Sequence, residues 1–196
     1  MLPVVATVGL ILILLEVAAA LRGPGPSPVV VTPTEEQRLF IGQVGGVARR
    51  LWAEVGLTPS LVTAMAINES GWGHSSLSRR AHNYFGIKAL PGEGVVEPTQ
   101  EVVDGRWITV WARFRAYRSL EDSVRDLGQF LRDNPRYDGV WPRAASPRLA
   151  ARALLGAGYA TDPGWADKVI GLIDSYDLEA LDALPPTAIG AQREDQ

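Results

Sequence analysis

The stretch from Thr58 to Gly71 limits the fold more than any other part of this chain. Thr58 followed by Pro59 reads as an N-cap with proline at the first helical position. Leu61, Val62, Met65 and Ile67 then make a short, largely apolar helix with few positions fit for water, and Gly71 is a natural stop. Such a helix has to be buried, so the remaining elements are expected to pack around it. Glu69 falls in its last turn, where the helix macrodipole is negative. Burial and the dipole both raise a carboxyl pKa and favour a proton that can be donated near neutral pH. The plain alternative is a solvated Glu at a fraying helix end. Functional sites are where local rules of this kind are broken.

Bulk composition narrows the chemistry. The 196 residues suit one domain with extensions, and the formal charge of −3 lacks the basic signature of nucleic-acid binding. There is no cysteine, which removes disulfides, thiolate catalysis and cysteine-ligated zinc. His74 and His82 are the only histidines. Beside a helix stop and a turn they give poor support for a metal site, so neither a metal nor a cofactor is expected.

Val4 to Leu21 is almost continuously apolar, broken only by Glu16, and is just long enough to cross a bilayer. Ala18-Ala19-Ala20 offers a small-residue cleavage site, so residues 1–22 read as a signal peptide or an uncleaved membrane anchor. No Lys or Arg precedes the segment, which weakens the signal-peptide reading. Residues 23–32, rich in Pro and Gly, read as an extended spacer. A folded domain is expected over 33–178, and a loose polar tail over 179–196.

Within the domain, Thr32-Pro33-Thr34-Glu35 suggests a capping box. The helix that follows carries Phe40, Val44, Val47, Leu51 and Val55, and stops at Gly56. Gly45-Gly46 in its middle would let another element approach closely. Ser75 to Ala81 predicts a short helix. The period then changes. Val95–Val103 and Arg106–Arg115 alternate around Asp104-Gly105, a strong hairpin signal. A two-residue loop pairs Val103 with Arg106 and Glu101 with Ile108, which puts Glu101 on a mainly apolar face. Helices resume after Ser119, after Ser146-Pro147 and at Asp162-Pro163.

Four segments, in order, carry a resemblance: Glu69-Ser70-Gly71-Trp72-Gly73-His74-Ser75, Asn83-Tyr84-Phe85-Gly86-Ile87-Lys88, Phe114-Arg115-Ala116-Tyr117 and Gly158-Tyr159-Ala160-Thr161-Asp162-Pro163. From about Thr34 to about Leu178 the chain resembles the glucosaminidase family of peptidoglycan hydrolases (glycoside hydrolase family 73), which includes flagellar-rod muralysins and autolysins. The resemblance implies a mostly helical, lysozyme-like α+β domain with one β-hairpin lobe. It implies an endo-β-N-acetylglucosaminidase, with Glu69 as general acid and a second acidic residue on the hairpin just before its turn. Glu101 holds that position, with Glu97 as the fallback. Tyr159 matches a tyrosine near the acid, suited to orienting the substrate acetamido group or facing positive charge at the sugar carbon. Asn83 and Phe85 are carried over as shaping the groove floor.

Six tryptophans suit sugar stacking, although most are expected in the core. Trp72, beside Glu69, is the best candidate for the groove, and Trp141 is a further one. Asn68 stands where an apolar residue is expected. The competing readings are a lytic transglycosylase or muramidase on the same fold, and a wall-binding module without catalysis. The expected partner is the peptidoglycan glycan strand, met by a monomer exported to the cell envelope, anchored or secreted.

Overall fold

The computed structural model describes residues 30–103 and 106–183, with backbone alone at 100–103 and 107. The apolar segment, most of the spacer, the turn at Asp104-Gly105 and the end of the polar tail lie outside the described residues. Among the described residues no helix is long and apolar enough to cross a membrane.

The elements run in the order α1 (Glu35–Arg50), α2 (Trp52–Val55), α3 (Pro59–Ser70), α4 (Ser76–Ala81), β1 (Val95–Val103), β2 (Arg106–Phe114), α5 (Leu120–Asp133), a 3-10 segment (Pro135–Arg143), α6 (Pro147–Gly156), α7 (Trp165–Ser175) and a closing 3-10 turn (Leu178–Leu181). Helix α3 is the hub. Every residue from Pro59 to Ile67 is buried, and α1, α6, α7 and the closing turn all pack on it. A helix apolar all round has no face to give to water, so it ends up enclosed. The domain is the expected α+β arrangement, helical with a single hairpin.

Four boundaries differ from the sequence reading. The helix expected to run on to Gly56 breaks at Leu51 into α1 and α2. The capping box is Thr34 with Gln37 rather than Thr32 with Glu35: Thr34 Oγ1 accepts from Gln37 N–H, and the Gln37 side chain returns the bond to Thr34 N–H. The last helix starts at Trp165, because Asp162 spends its carboxylate on Gly164 N–H and Lys168 and so forms a turn before the helix. The domain also continues past Leu178. Leu178 is buried, and Asp182 accepts from Ser60 N–H at 2.8 Å and Ser60 Oγ at 2.6 Å, which places a carboxylate at the positive end of α3. The closing turn also answers for the glycines of α1. A Cβ at Gly45 would stand 2.9 Å from Leu181, so the close approach is by this turn.

The hairpin has the register expected from a two-residue loop, with Val103 opposite Arg106, Glu101 opposite Ile108 and Val95 opposite Phe114. Its base is tied to the loop after α4. Arg115 N–H donates to Ile87 O, Ala89 N–H donates to Arg113 O, and Lys88 bridges to Phe114. The Phe114-Arg115-Ala116-Tyr117 segment is a clamp. Phe114 is buried, while Arg115 and Tyr117 both donate to the carboxylate of Asp126 on α5.

Candidate active site

Glu69 ends α3 inside a cleft of about 690 Å³ between the hairpin and the segment leading into α7. Its Oε1 accepts from the indole N–H of Trp165 at 2.5 Å and from the Asn68 amide at 3.0 Å. Burial raises its pKa. The bonds from Trp165 and Asn68 and the charge of Lys168 oppose that rise without cancelling it. With Oε1 occupied as an acceptor, the proton of the acid form belongs on Oε2. That oxygen faces Gly86, lying 3.9 Å from where a Cβ would stand, and Gly86 itself has φ +65°. Glycine is needed there for its conformation, and its bare backbone keeps the space beside Oε2 open. The local chemistry is that of a buried carboxyl group, its pKa raised, presenting one oxygen to a groove.

Tyr159 lines the same cleft. Its ring packs 5.1 Å from that of Trp165, and its hydroxyl donates to Phe85 O at 2.9 Å. Burial, and then the neighbouring Glu69, push its pKa well up, so it stays a neutral phenol. Because its proton is committed to a carbonyl, the phenol offers the cleft an oxygen lone pair. Phe85 is buried and lines the cleft beneath it.

The structure thus brings Glu69, Phe85 and Tyr159 together. It places three other candidates elsewhere. Trp72 has φ +62° between two glycines that also have positive φ, and this reversal turns its ring away from the cleft. The ring packs edge-on against Phe40 at 6.0 Å and Tyr176 at 5.0 Å. Trp141 lies under the Arg132 guanidinium, 5.1 Å away, beside Gly56. Asn83 is buried behind the cleft. Its Nδ2 donates to Ile87 O and Arg115 O, and its Oδ1 accepts from Phe85 and Ile87 N–H, so the whole amide is spent on backbone.

On the hairpin, Glu101 is opposite Ile108, two residues along the strand from Thr99, which lines the cleft. The Glu101 side chain lies outside the described residues. Glu97 also lines the cleft, buried, and accepts from Ser76 Oγ at 3.2 Å and Arg80 at 3.1 Å. Among the described residues no three His, Asp or Glu side chains converge as a metal site would need.

The sequence reading does not mark Trp165, Arg136 or Tyr137 as working parts of the site, and it marks Asn68 only as a departure from an expected apolar residue. Trp165 had a signal: it follows Asp162-Pro163-Gly164, so its side chain opens a helix pointed back at the cleft. Asn68, which looked like a departure from pattern, is a donor to the acid.

The chain matches the family described as Mannosyl-glycoprotein endo-beta-N-acetylglucosaminidase over residues 45–178. It is 38% identical over 159 residues to Exo-glucosaminidase LytG of Bacillus subtilis, covering 78% of this chain and 56% of that protein. It is 36% identical over 163 residues to a Probable N-acetylmuramidase of Lactococcus lactis, covering 80% of this chain and 37% of that protein. The catalytic domain of the autolysin Auto from Listeria monocytogenes aligns with a TM-score of 0.63 at 29% identity, covering 92% of this chain and 100% of that one. The chain therefore spans about half or less of the length of these two curated relatives.

Proposed function

This chain belongs to the glucosaminidase family, the mannosyl-glycoprotein endo-β-N-acetylglucosaminidases, and from that membership we propose that its domain hydrolyses the glycan of peptidoglycan after N-acetylglucosamine. The observation that carries the reading is Glu69, a buried carboxyl group whose pKa is raised by desolvation, with one oxygen pinned by Trp165 and Asn68 and the other turned to the cleft. In the proposed reaction Oε2 gives its proton to the departing glycosidic oxygen, water supplies hydroxyl to C1, and Glu101 takes the proton that water loses. In this reading the Tyr159 oxygen accepts from the acetamido N–H or faces positive charge at C1. Phe85 forms part of the floor, and Asn83 is a positioning residue for the loop that carries Phe85 and Gly86. The substrate lies outside the cytoplasmic membrane, so the domain is proposed to work in the cell envelope, exported by the apolar segment at 4–21.

Two alternatives have specific support. The Lactococcus relative is named for muramidase activity and the Bacillus relative for exo-acting glucosaminidase activity. The fold does not discriminate among these reactions, because one acid on one helix can serve either bond. Digestion of purified peptidoglycan, with the fragments reduced and weighed by mass spectrometry at early and late times, separates them. The expected products are large early fragments with new reducing N-acetylglucosamine. Reducing N-acetylmuramic acid would mean a muramidase, anhydro ends lighter by one water a transglycosylase, and small fragments from the start an exo-acting enzyme. No new ends from a folded protein would leave a wall-binding module.

The hairpin carboxylates are expected to rank unequally. Glu101→Gln should cost at least about tenfold in rate as the loss of a general base. Glu97→Gln should cost far less, because Glu97 is already held by Arg80 and Ser76. The reverse order in a reducing-end assay would move the second role to Glu97. Equal, small effects would favour a one-carboxylate transglycosylase.

A further inference from the structure

The cleft does not close beyond Tyr159. Arg136 lines it and also lines a second depression of about 460 Å³, which follows the chain back from Gly158 towards the end of α6. Two more arginines, Arg143 and Arg152, stand around this hollow, and its apolar lining includes Val140, Leu149 and Ala153. Leu149 is 54% exposed there, an aliphatic surface left to water. Arg136 donates to Tyr137 OH and Arg143 to Gly139 O, and no carboxylate pairs with either among the described residues. Arg152 has one partner, Asp167 at 3.3 Å, and both ends of that pair are mostly exposed.

Such a grouping runs against the overall charge of −3. Guanidinium groups gathered around one hollow repel one another unless an anion lies between them. Arginine is the side chain suited to carboxylates and phosphates, through paired N–H donors. The aliphatic floor narrows the choice. A bare phosphate has nothing to place on Leu149 and Ala153, whereas a short peptide with small apolar side chains and free carboxylates fills both halves of the site. The exposed Arg152–Asp167 pair is weak enough for such a carboxylate to displace Asp167 at little cost.

We infer that this depression, joined to the cleft at Arg136, is a subsite for the carboxylates of the peptide stems that peptidoglycan glycan carries. The inference rests on the glycan-cleaving reading above. It makes the domain favour strands that bear stems over bare strands, and it makes that preference fall as salt rises.

The test compares the full chain with its Arg143→Gln/Arg152→Gln variant. The substrates are strands bearing stems with free carboxylates and the same strands freed of stems by an amidase. The expected result is a roughly three- to tenfold rise in KM on stem-bearing strands with kcat held, and rates within about twofold of the parent on bare strands. The Arg143→Lys/Arg152→Lys variant should recover part of the loss, because it restores charge without the paired donors. An equal loss on both substrates would mean a structural effect, and no loss on either would mean no subsite; both overturn the inference. A third substrate keeps its stems but has had its phosphate-bearing wall polymers removed. If the loss vanishes there, the anion is a phosphate and the carboxylate assignment falls. If the parent cleaves none of these substrates, the glycosidase reading fails on its own, and calorimetry with the free stem tetrapeptide decides the subsite. Binding to the parent and not to the Gln variant keeps it; equal binding, or none, overturns it.

Discussion

Replacing Glu69 with Gln is expected to lower glycan cleavage by about 10²–10⁴-fold, the usual worth of a general acid, and at the same time to make the domain more stable at neutral pH. The first effect follows from chemistry: an amide in the same place accepts from Trp165 and Asn68 but has no proton to give. The second follows from burial. The pKa of Glu69 is raised above its ordinary 4.5, chiefly by desolvation. A raised carboxyl pKa means that the folded state holds its proton to higher pH than the unfolded state does. Stability from this group is therefore complete below the unfolded value, falls as pH rises through the window up to the folded value, and stays reduced above it. Each pKa unit is worth about 1.4 kcal/mol. Gln lacks this loss. The variant should thus exceed its parent in stability at about pH 7 and match it at about pH 4, as read by denaturant unfolding at each pH. Activity within about tenfold of the parent would remove Glu69 from the acid role. A Gln variant less stable than its parent at neutral pH would mean that the carboxylate is paired rather than strained.

Much of this arrangement is legible in the sequence, for reasons that can be located. Helix α3 announces itself because its cap, its apolar run and its stop all agree, and burial of Pro59 to Ile67 follows from composition alone. The hairpin register follows from a two-residue loop, which leaves the pairing little freedom. What pattern misses is direction. Trp72 is next to the site in sequence, yet its left-handed backbone, between glycines of the same hand, carries the ring to Phe40 and Tyr176. Trp165 is almost a hundred residues from Glu69 in the chain and donates to it, a contact that only the packing of α7 on α3 creates. Boundaries miss for a related reason. Leu178 to Leu181 is too short to show a period, and its place is set by Gly45 and by Asp182 reaching Ser60. The motif residues Asn83 and Arg115 sit in a matching pattern, but a pattern does not say whether a residue touches substrate or holds the backbone that does.

Asn83→Ala puts that distinction to measurement. The Asn83 amide bonds to Ile87 O, Arg115 O, Phe85 N–H and Ile87 N–H, which joins the loop after α4 to the base of the hairpin. Alanine removes all of these partners at a site that is only 1% exposed. Buried backbone groups left without partners cost about 1–3 kcal/mol each, though water entering the gap recovers part of that. The expected net loss is on the order of 3–5 kcal/mol, large for a point change. In a domain of this size it corresponds to a fall in Tm of roughly 10 °C. Cleavage should fall as well, because Phe85 and Gly86 are carried by the loop that Asn83 fastens, and Gly86 keeps the space beside Glu69 open. A side chain that merely contacted sugar would behave differently: its loss would raise KM and leave the unfolding midpoint where it was. A Tm within about 2 °C of the parent, with weakened substrate binding, would return Asn83 to the groove floor as a direct contact. Asn83→Asp sharpens the comparison. It keeps the acceptor for Phe85 and Ile87 N–H but turns a second oxygen on Ile87 O and Arg115 O, so it should be no better tolerated than alanine. Near-normal stability of the Asp variant would mean that the two donated bonds, and with them the tie between loop and hairpin, do not hold the cleft together.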